Sequence, residues 1–273
     1  MTSTTALTAE QRTAAQRLLA AEHDRRPTTP VRELIGDSDI DAAYAVQAAI
    51  IEEKIATAGQ RVVGRKIGLT SPSVQRQFGV YRPDFGVLLD DMVLADRADA
   101  PLGRFLQPRV EAEVAFVLGS DLAAGSTPAD VLRATEFVLP ALEIVDSRIE
   151  NWDIRITDTV ADNASSGAVV LGTAPKRLDD LDLAGLGMSL EHAGEPVSTG
   201  VGAACLGSPA IAVAWLAQEV ARRGNPLRAG EIVLAGAWGP MVPVTGPGTY
   251  LGRFESIGEV RVRFTDAAAE GNS

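Results

Sequence analysis

The chain has 273 residues, 46% hydrophobic and 22% charged, an ordinary globular composition that can bury a real core in one large domain or two small ones. A net charge of −11 repels phosphate backbones, so nucleic acid is not an expected partner. A single cysteine, Cys205, excludes an intramolecular disulfide and any multi-cysteine metal site, and the lone distant histidines, His23 and His192, exclude a His-x-x-x-His zinc site.

In chain order, residues 1–60 read as a helical segment. The N-terminus MTSTTALTAEQ has no basic region followed by an apolar stretch, so no secretory signal is expected. No run approaches the roughly 18 apolar residues that span a bilayer, and a soluble cytoplasmic protein is expected, with no membrane partner. Thr8 and Gln11 form a capping box for a helix running to about Asp24. Pro27 and Pro30 interrupt the pattern, and a second helix begins near Asp37 or Ser38. Its broad apolar stripe, Ile40, Tyr44, Gln47, Ile51 and Ile55, ends at Gly59 and must pack on the rest of the domain or on a second subunit.

From Arg61 the texture becomes β-like, and residues 61–273 read as a β-rich α+β domain. VVGRKIGLT is the first strand, and Ser71-Pro72 opens a short helix closed by Gly79. RVEAEVAFVLG alternates as a strand, Thr127 caps a helix, and VLPALEIVDSRI, GAVVLG and LGMSLEHAGEPV continue the strand texture. Ser208-Pro209 opens the last helix, closed by Gly224, and three strands follow. Strand and helix do not alternate regularly, which argues against Rossmann and TIM architectures.

Glu111 and Glu113 stand at i and i+2 of a strand, so they share one face. Side-by-side carboxylates need a cation or protons between them, although a solvent-facing edge would also tolerate the pattern. Glu143 lies inside the apolar run VLPALEIVDSRI, where an acid is unusual unless paired or ligating. Three carboxylates without soft ligands suit Mg²⁺ or Mn²⁺. Asp146 and Arg148 read as a surface ion pair at a strand end. Arg65 and Lys66 are adjacent in a strand, so one of them points inward. Asp84, between Pro83 and Phe85, reads on its own as a turn aspartate. The hydroxyl-rich stretch ITDTVADNASSG reads as a polar loop able to bind a carboxylate, and it carries Ser165 and Ser166. His192 reads as an exposed turn residue and Cys205 as a packed one.

In this order, GRKIGLTS, PDFGVLLDDMV, QPRVEAEVAFVLG, PALEIVDSRI and ITDTVADNASSG resemble the 2-keto-4-pentenoate hydratase group of the fumarylacetoacetate hydrolase superfamily, from about Gly64 to Gly172. The resemblance implies a β-rich roll like the C-terminal domain of that superfamily, with an N-terminal helical part. It implies a divalent metal, Mg²⁺ or Mn²⁺, held by Glu111, Glu113 and Glu143, with Lys66 and Asp84 as catalytic groups. Ser166 and Ser165 would contact the carboxylate of a 2-hydroxydienoate substrate. The implied reaction is hydration of 2-hydroxypenta-2,4-dienoate to 4-hydroxy-2-oxopentanoate in meta-cleavage catabolism. Ranked behind it are 2-oxohept-4-ene-1,7-dioate hydratase and 4-oxalocrotonate decarboxylase, because Asp84 and both serines are present. A non-catalytic assembly partner is a further alternative, opposed by the intact set of polar residues. Members of the group are homo-oligomers, often large rings, and associate with a pathway decarboxylase or aldolase.

Overall fold

The structure, a computed structural model, describes residues 6–71, 75 and 80–266. The short helix expected from Ser71-Pro72 to Gly79 lies, but for Ser71 and Gln75, outside that set. Helix α1 (Ala9–His23) opens on the reciprocal capping box of Thr8 and Gln11. After α2 (Arg32–Ile35), α3 (Ile40–Ala58) is capped by the Asp39 side chain and ends on left-handed Gly59, φ 66°. Tyr44, Val46, Gln47, Ile50 and Ile51 of its stripe are buried, while Ile55 at its end is exposed.

The remaining elements are β1 (Val62–Gly68), β2 (Asp84–Leu89), β3 (Val93–Ala95), β4 (Asp99–Pro101), β5 (Pro108–Leu118), α4 (Pro128–Ala134), β6 (Thr135–Asp146), α5 (Ile156–Ala161), β7 (Ser166–Leu171), β8 (Gly187–His192), β9 (Glu195–Val201), α6 (Pro209–Arg222), β10 (Ile232–Leu234), β11 (Val242–Pro243), β12 (Gly248–Phe254) and β13 (Gly258–Thr265). An eight-stranded sheet runs β2-β1-β10-β5-β6-β7-β3, with β11 also paired to β5, and a five-stranded sheet runs β4-β13-β12-β8-β9. Val110, Ala112, Val114 and Phe116 on one face of β5 join Tyr250, Val262 and Phe264 of the smaller sheet in the main core, which also takes in Leu18 and Tyr44 from the N-terminal helices. Period-2 alternation then commits Glu111 and Glu113 to the other face of β5.

Several expectations are corrected. Asp84 is not in a turn: it opens β2, paired opposite Gly68 of β1. ITDTVADN is not a loop but α5 followed by a single 3-10 turn, Asn163–Ser165. The buried Asp158 carboxylate organises α5, accepting the N–H groups of Arg155 and Arg32 and the Arg32 guanidinium at 2.6 Å. Asp146 and Arg148 are buried and do not pair through their side chains. Asp146 accepts the N–H groups of Leu106 and Gln107, whereas Arg148 pairs with Asp162. His192 ends β8 and stacks on Tyr250 with ring centroids 4.5 Å apart, so it is half-buried rather than an exposed turn residue. The stretch Gly202–Arg222 is long and apolar enough to cross a membrane by length and composition, but its α-helix covers only the 14 residues Pro209–Arg222, and half of its most apolar window is buried in this fold. Val213, Leu216 and Val220 place α6 in the main core.

Gly86 sets how closely β2 approaches the Asn163–Ser165 turn. A Cβ there would lie 2.4 Å from the Asn163 carbonyl oxygen and 2.6 Å from Ser166 Oγ. Gly86→Ala must push strand and turn apart, and overpacking of this kind costs about 1–3 kcal/mol. Chemical denaturation is expected to register that loss, with a fall in catalytic activity beyond it, because the same turn carries Ser165.

Candidate active site

Neighbouring strands of the larger sheet bring the predicted site together. Glu111 of β5 stands directly opposite Glu143 of β6 in the antiparallel register, and Glu113 follows on the same face. Lys66 of β1 is reached from β5 through β10, in register with Leu234. Asp84 of β2 faces Gly68 across the β1–β2 pair, and a Cβ at Gly68 would sit 2.2 Å from Asp84 Oδ1, so only glycine leaves the carboxyl room. Lys66 Nζ lies 2.8 Å from Glu143 Oε1 as a fully buried ion pair. Thr159 Oγ1 of α5 donates to Asp84 Oδ2 at 3.3 Å, and the Gly236 N–H donates to Glu113 Oε2 at 2.8 Å.

This is a charge cluster in a dry place. Burial, and then the neighbouring Glu143, push the Glu111 carboxyl up to about 7, with Lys66 pulling the other way. Burial and both other glutamates push Glu113 well above the usual carboxylate range. Asp84 is raised by burial, against the pull of Lys66. Burial alone would depress the Lys66 ammonium, but Glu143, Glu111 and Asp84 outweigh it and hold the pKa above its ordinary value.

The three glutamates fit a hard divalent cation. One carboxylate oxygen from each lies within 4.8 Å of the others. Glu113 Oε1 and Glu143 Oε2 are buried without a hydrogen bond among the described residues, and Glu143 Oε1 meets the Lys66 ammonium. Orphaned anionic oxygens are costly, and an oxygen-only, acidic donor set is what Mg²⁺, Mn²⁺ or Ca²⁺ takes.

A cavity of about 470 Å³ opens over Glu111, Lys66 and Asp84. Thr159 and Ser165 line its polar side, and Trp152, Ile154 and Met241 its apolar side. Of the two serines, Ser165 lines the cavity with its hydroxyl donating to Asp162 Oδ2 at 3.3 Å, whereas the Ser166 hydroxyl donates to the Asn163 carbonyl at 2.7 Å. Asn163, Ala164 and Ser165 all have φ between 51° and 55°, a left-handed run that needs outside support. Arg148 supplies it, donating to the Asp162 side chain and backbone and to the Ser166 carbonyl at 2.8 Å. The Asn163 amide adds bonds to both backbone groups of Val87. Asp162 is pushed up to about 6 by burial, with Arg148 opposing. Sequence reasoning missed Arg109 and the Gly236 N–H, and it placed Thr159 in the carboxylate-binding hydroxyl stretch without its partner Asp84. Arg109 carries a readable signal, since it stands two residues before Glu111 on the same strand face. The Gly236 N–H carries none, because only the tertiary fold brings it to Glu113.

The family described as fumarylacetoacetate (FAA) hydrolase C-terminal matches residues 76–265. Over 96% of its length the chain is 54% identical to the TodF product hydratase of Pseudomonas putida, 98% of which is covered. It is 50% identical to the 2-keto-4-pentenoate hydratase of Paraburkholderia xenovorans, over 97% of this chain and 99% of that one. A solved structure of 4-oxalocrotonate decarboxylase from Pseudomonas putida G7, complexed with magnesium and adipate, superposes with a TM-score of 0.90 at 34% identity, covering 95% of this chain and 99% of that one.

Metal binding at such a site must displace protons. Calorimetric Mg²⁺ titrations in buffers of different ionisation enthalpy are expected to show proton release at pH 6 that shrinks towards pH 8, with tighter binding at the higher pH, because Glu111 titrates near 7. Glu111→Gln and Glu113→Gln are each expected to weaken Mg²⁺ binding by orders of magnitude, since a neutral amide replaces an anionic ligand. Wild-type Mg²⁺ affinity in either variant would dismiss these glutamates as ligands.

Proposed function

The chain belongs to the fumarylacetoacetate hydrolase family, and within it we infer a hydratase of meta-cleavage catabolism. It is a hydro-lyase that adds water to 2-hydroxypenta-2,4-dienoate to give 4-hydroxy-2-oxopentanoate. Full-length similarity to hydratases supports the reaction class. The observation that carries the site reading is the set of buried, unsatisfied glutamate oxygens beside Lys66 and Asp84 at the cavity floor.

Glu111, Glu113 and Glu143 would hold the divalent ion, Mg²⁺ or Mn²⁺, whose Lewis acidity would polarise the 2-oxo group of the substrate's keto form. The dienol loses its O2 proton and gains one at C5, giving a 2-oxo-3-enoate. Water then adds its oxygen at C4 and a proton at C3. Asp84 is assigned the proton transfers and the positioning of water. Its raised pKa lets it hold a proton nearer neutral pH than an exposed aspartate would. Lys66, anchored on Glu143, stabilises the developing enolate and orients Asp84. Ser165, on the cavity wall, is the better placed of the two serines to meet the substrate carboxylate, and Ser166 supports the turn that presents it. The surroundings are assigned as cytoplasmic and the assembly as a homo-oligomer.

The likeness to a decarboxylase structure keeps that chemistry as a second reading. Incubation with Mg²⁺ and each mono- and dicarboxylate dienol separates the two. Loss of monoacid dienol absorbance without CO₂ is expected, and CO₂ from 4-oxalocrotonate without hydration of the monoacid would reverse the assignment. Asp84→Asn preserves shape but removes proton transfer, so kcat is expected to fall about 10²–10⁴-fold with Mg²⁺ affinity nearly unchanged. Lys66→Met should also lower kcat, and the double variant should lose less than the product of the single losses. Near-wild-type kcat in Asp84→Asn would remove Asp84 from the chemistry. Light scattering is expected to return a multiple of the 28.6 kDa chain mass.

A further inference from the structure

We propose that Arg109 is the cation that pairs with the carboxylate of the substrate's 2-oxo acid head. The proposal rests on the reading of the cavity as a 2-hydroxydienoate site. Among the described residues, the cations on the cavity wall are Lys66, Arg109 and Arg155. Lys66 is paired with Glu143, and Arg155 with Asp37. Arg109 has no carboxylate within ion-pair distance among the described residues. Its guanidinium instead lies 4.1 Å over the Trp152 ring, with Nη1 3.5 Å from Met241 Sδ.

That arrangement suits anion capture. A guanidinium stacked on an indole keeps its in-plane N–H donors at the edges, where a carboxylate can meet them in a fork. Trp152 and Met241 also shield the group from water, which strengthens any charge-assisted bond it makes. Arg109 and Glu111 share a strand face and are two residues apart, about 7 Å along the strand. A fork at that separation can reach an acid held beside the glutamates.

Charge also favours it. With Asp84 protonated the three ionised glutamates balance Lys66 and a divalent ion, and with Asp84 ionised they outweigh them, so the cavity floor offers an incoming anion no net attraction. An anionic substrate that docks there gains from another positive group, and Arg109 is the uncommitted one. Ser165, across the cavity, contributes a hydroxyl but no charge.

The test uses Mg²⁺-loaded protein, with pyruvate as a monoanionic 2-oxo acid probe. In Arg109→Met, calorimetry is expected to show pyruvate binding weakened roughly 10- to 100-fold, with Mg²⁺ affinity and melting temperature unchanged. KM for the dienoate should rise by a similar factor while kcat changes less, because the carboxylate contact is made in ground state and transition state alike. Arg109→Lys should recover part of the loss by restoring charge without the fork, and it stands in if the methionine variant does not fold, with a smaller loss expected. Wild-type pyruvate affinity and KM in these variants would overturn the proposal while leaving the hydratase reading intact. A loss confined to the distal carboxylate of a dicarboxylate dienol would overturn it too. If Mg²⁺-loaded wild-type protein neither binds pyruvate nor consumes the dienoate, the reading of the site falls first and the proposal with it.

Discussion

The repulsion among Glu111, Glu113, Glu143 and Asp84 governs the architecture of the site. Two ionised carboxylates about 4 Å apart repel by about 4 kcal/mol at the effective dielectric of roughly 20 that suits protein sites. Three glutamates meet in that range, Glu113 and Glu143 out of reach of water and Glu111 half-buried on the cavity side, with Lys66 the buried cation among them. Such a cluster persists only if protons or a metal ion relieve it and a rigid frame prevents it from spreading. The upward displacement of Glu111 and Glu113 expresses the first condition. The second is met by strand register, since Glu111 and Glu143 are locked opposite each other within the long β5–β6 ladder.

A second buried charge cluster supports the cavity's rim. Arg148 reaches the Asp162 side chain and three backbone carbonyls, those of Asp146, Asp162 and Ser166. Removing one partner of a buried pair leaves an uncompensated charge, so the cluster behaves as a unit. Its geometry explains how three successive non-glycine residues stay left-handed beside the cavity. Strain in the Asn163–Ser165 turn is therefore held by Arg148 and Asp162, which share no ion pair with the three glutamates among the described residues.

Much of this was legible from residue order, for reasons that can be named. The i, i+2 spacing of Glu111 and Glu113 fixes a shared face whatever the tertiary fold, and Glu143 is conspicuous in an apolar run. Thr8–Gln11, Thr127 and Gly59 are local signals, and each marks a helix end where expected. Other features depend on distant partners. Pro83-Asp84 has turn chemistry, yet pairing with β1 makes it a strand start. The β-branched and acidic ITDTVA has little intrinsic helicity, and Asp158 forms its helix by gathering Arg32 and Arg155. Arg148 looked like a surface residue because its sequence neighbour Asp146 offered an obvious partner, while its true partner lies beyond α5.

The overall charge of the chain also bears on how the site works. A net charge of −11 opposes the approach of an anionic acid, and the buried glutamates oppose its docking. The cavity answers with cations at graded depths. Arg155 is largely exposed at the mouth, Arg109 is half-buried on the wall, and Lys66 is fully buried at the floor. Their commitments are graded differently. The outermost and innermost are already paired with carboxylates of the chain, which leaves the middle one to meet an incoming anion. A substrate carboxylate that reaches Arg109 exchanges water for a pre-oriented guanidinium. Because that group is already ordered by stacking on Trp152, little side-chain entropy remains to be lost on binding.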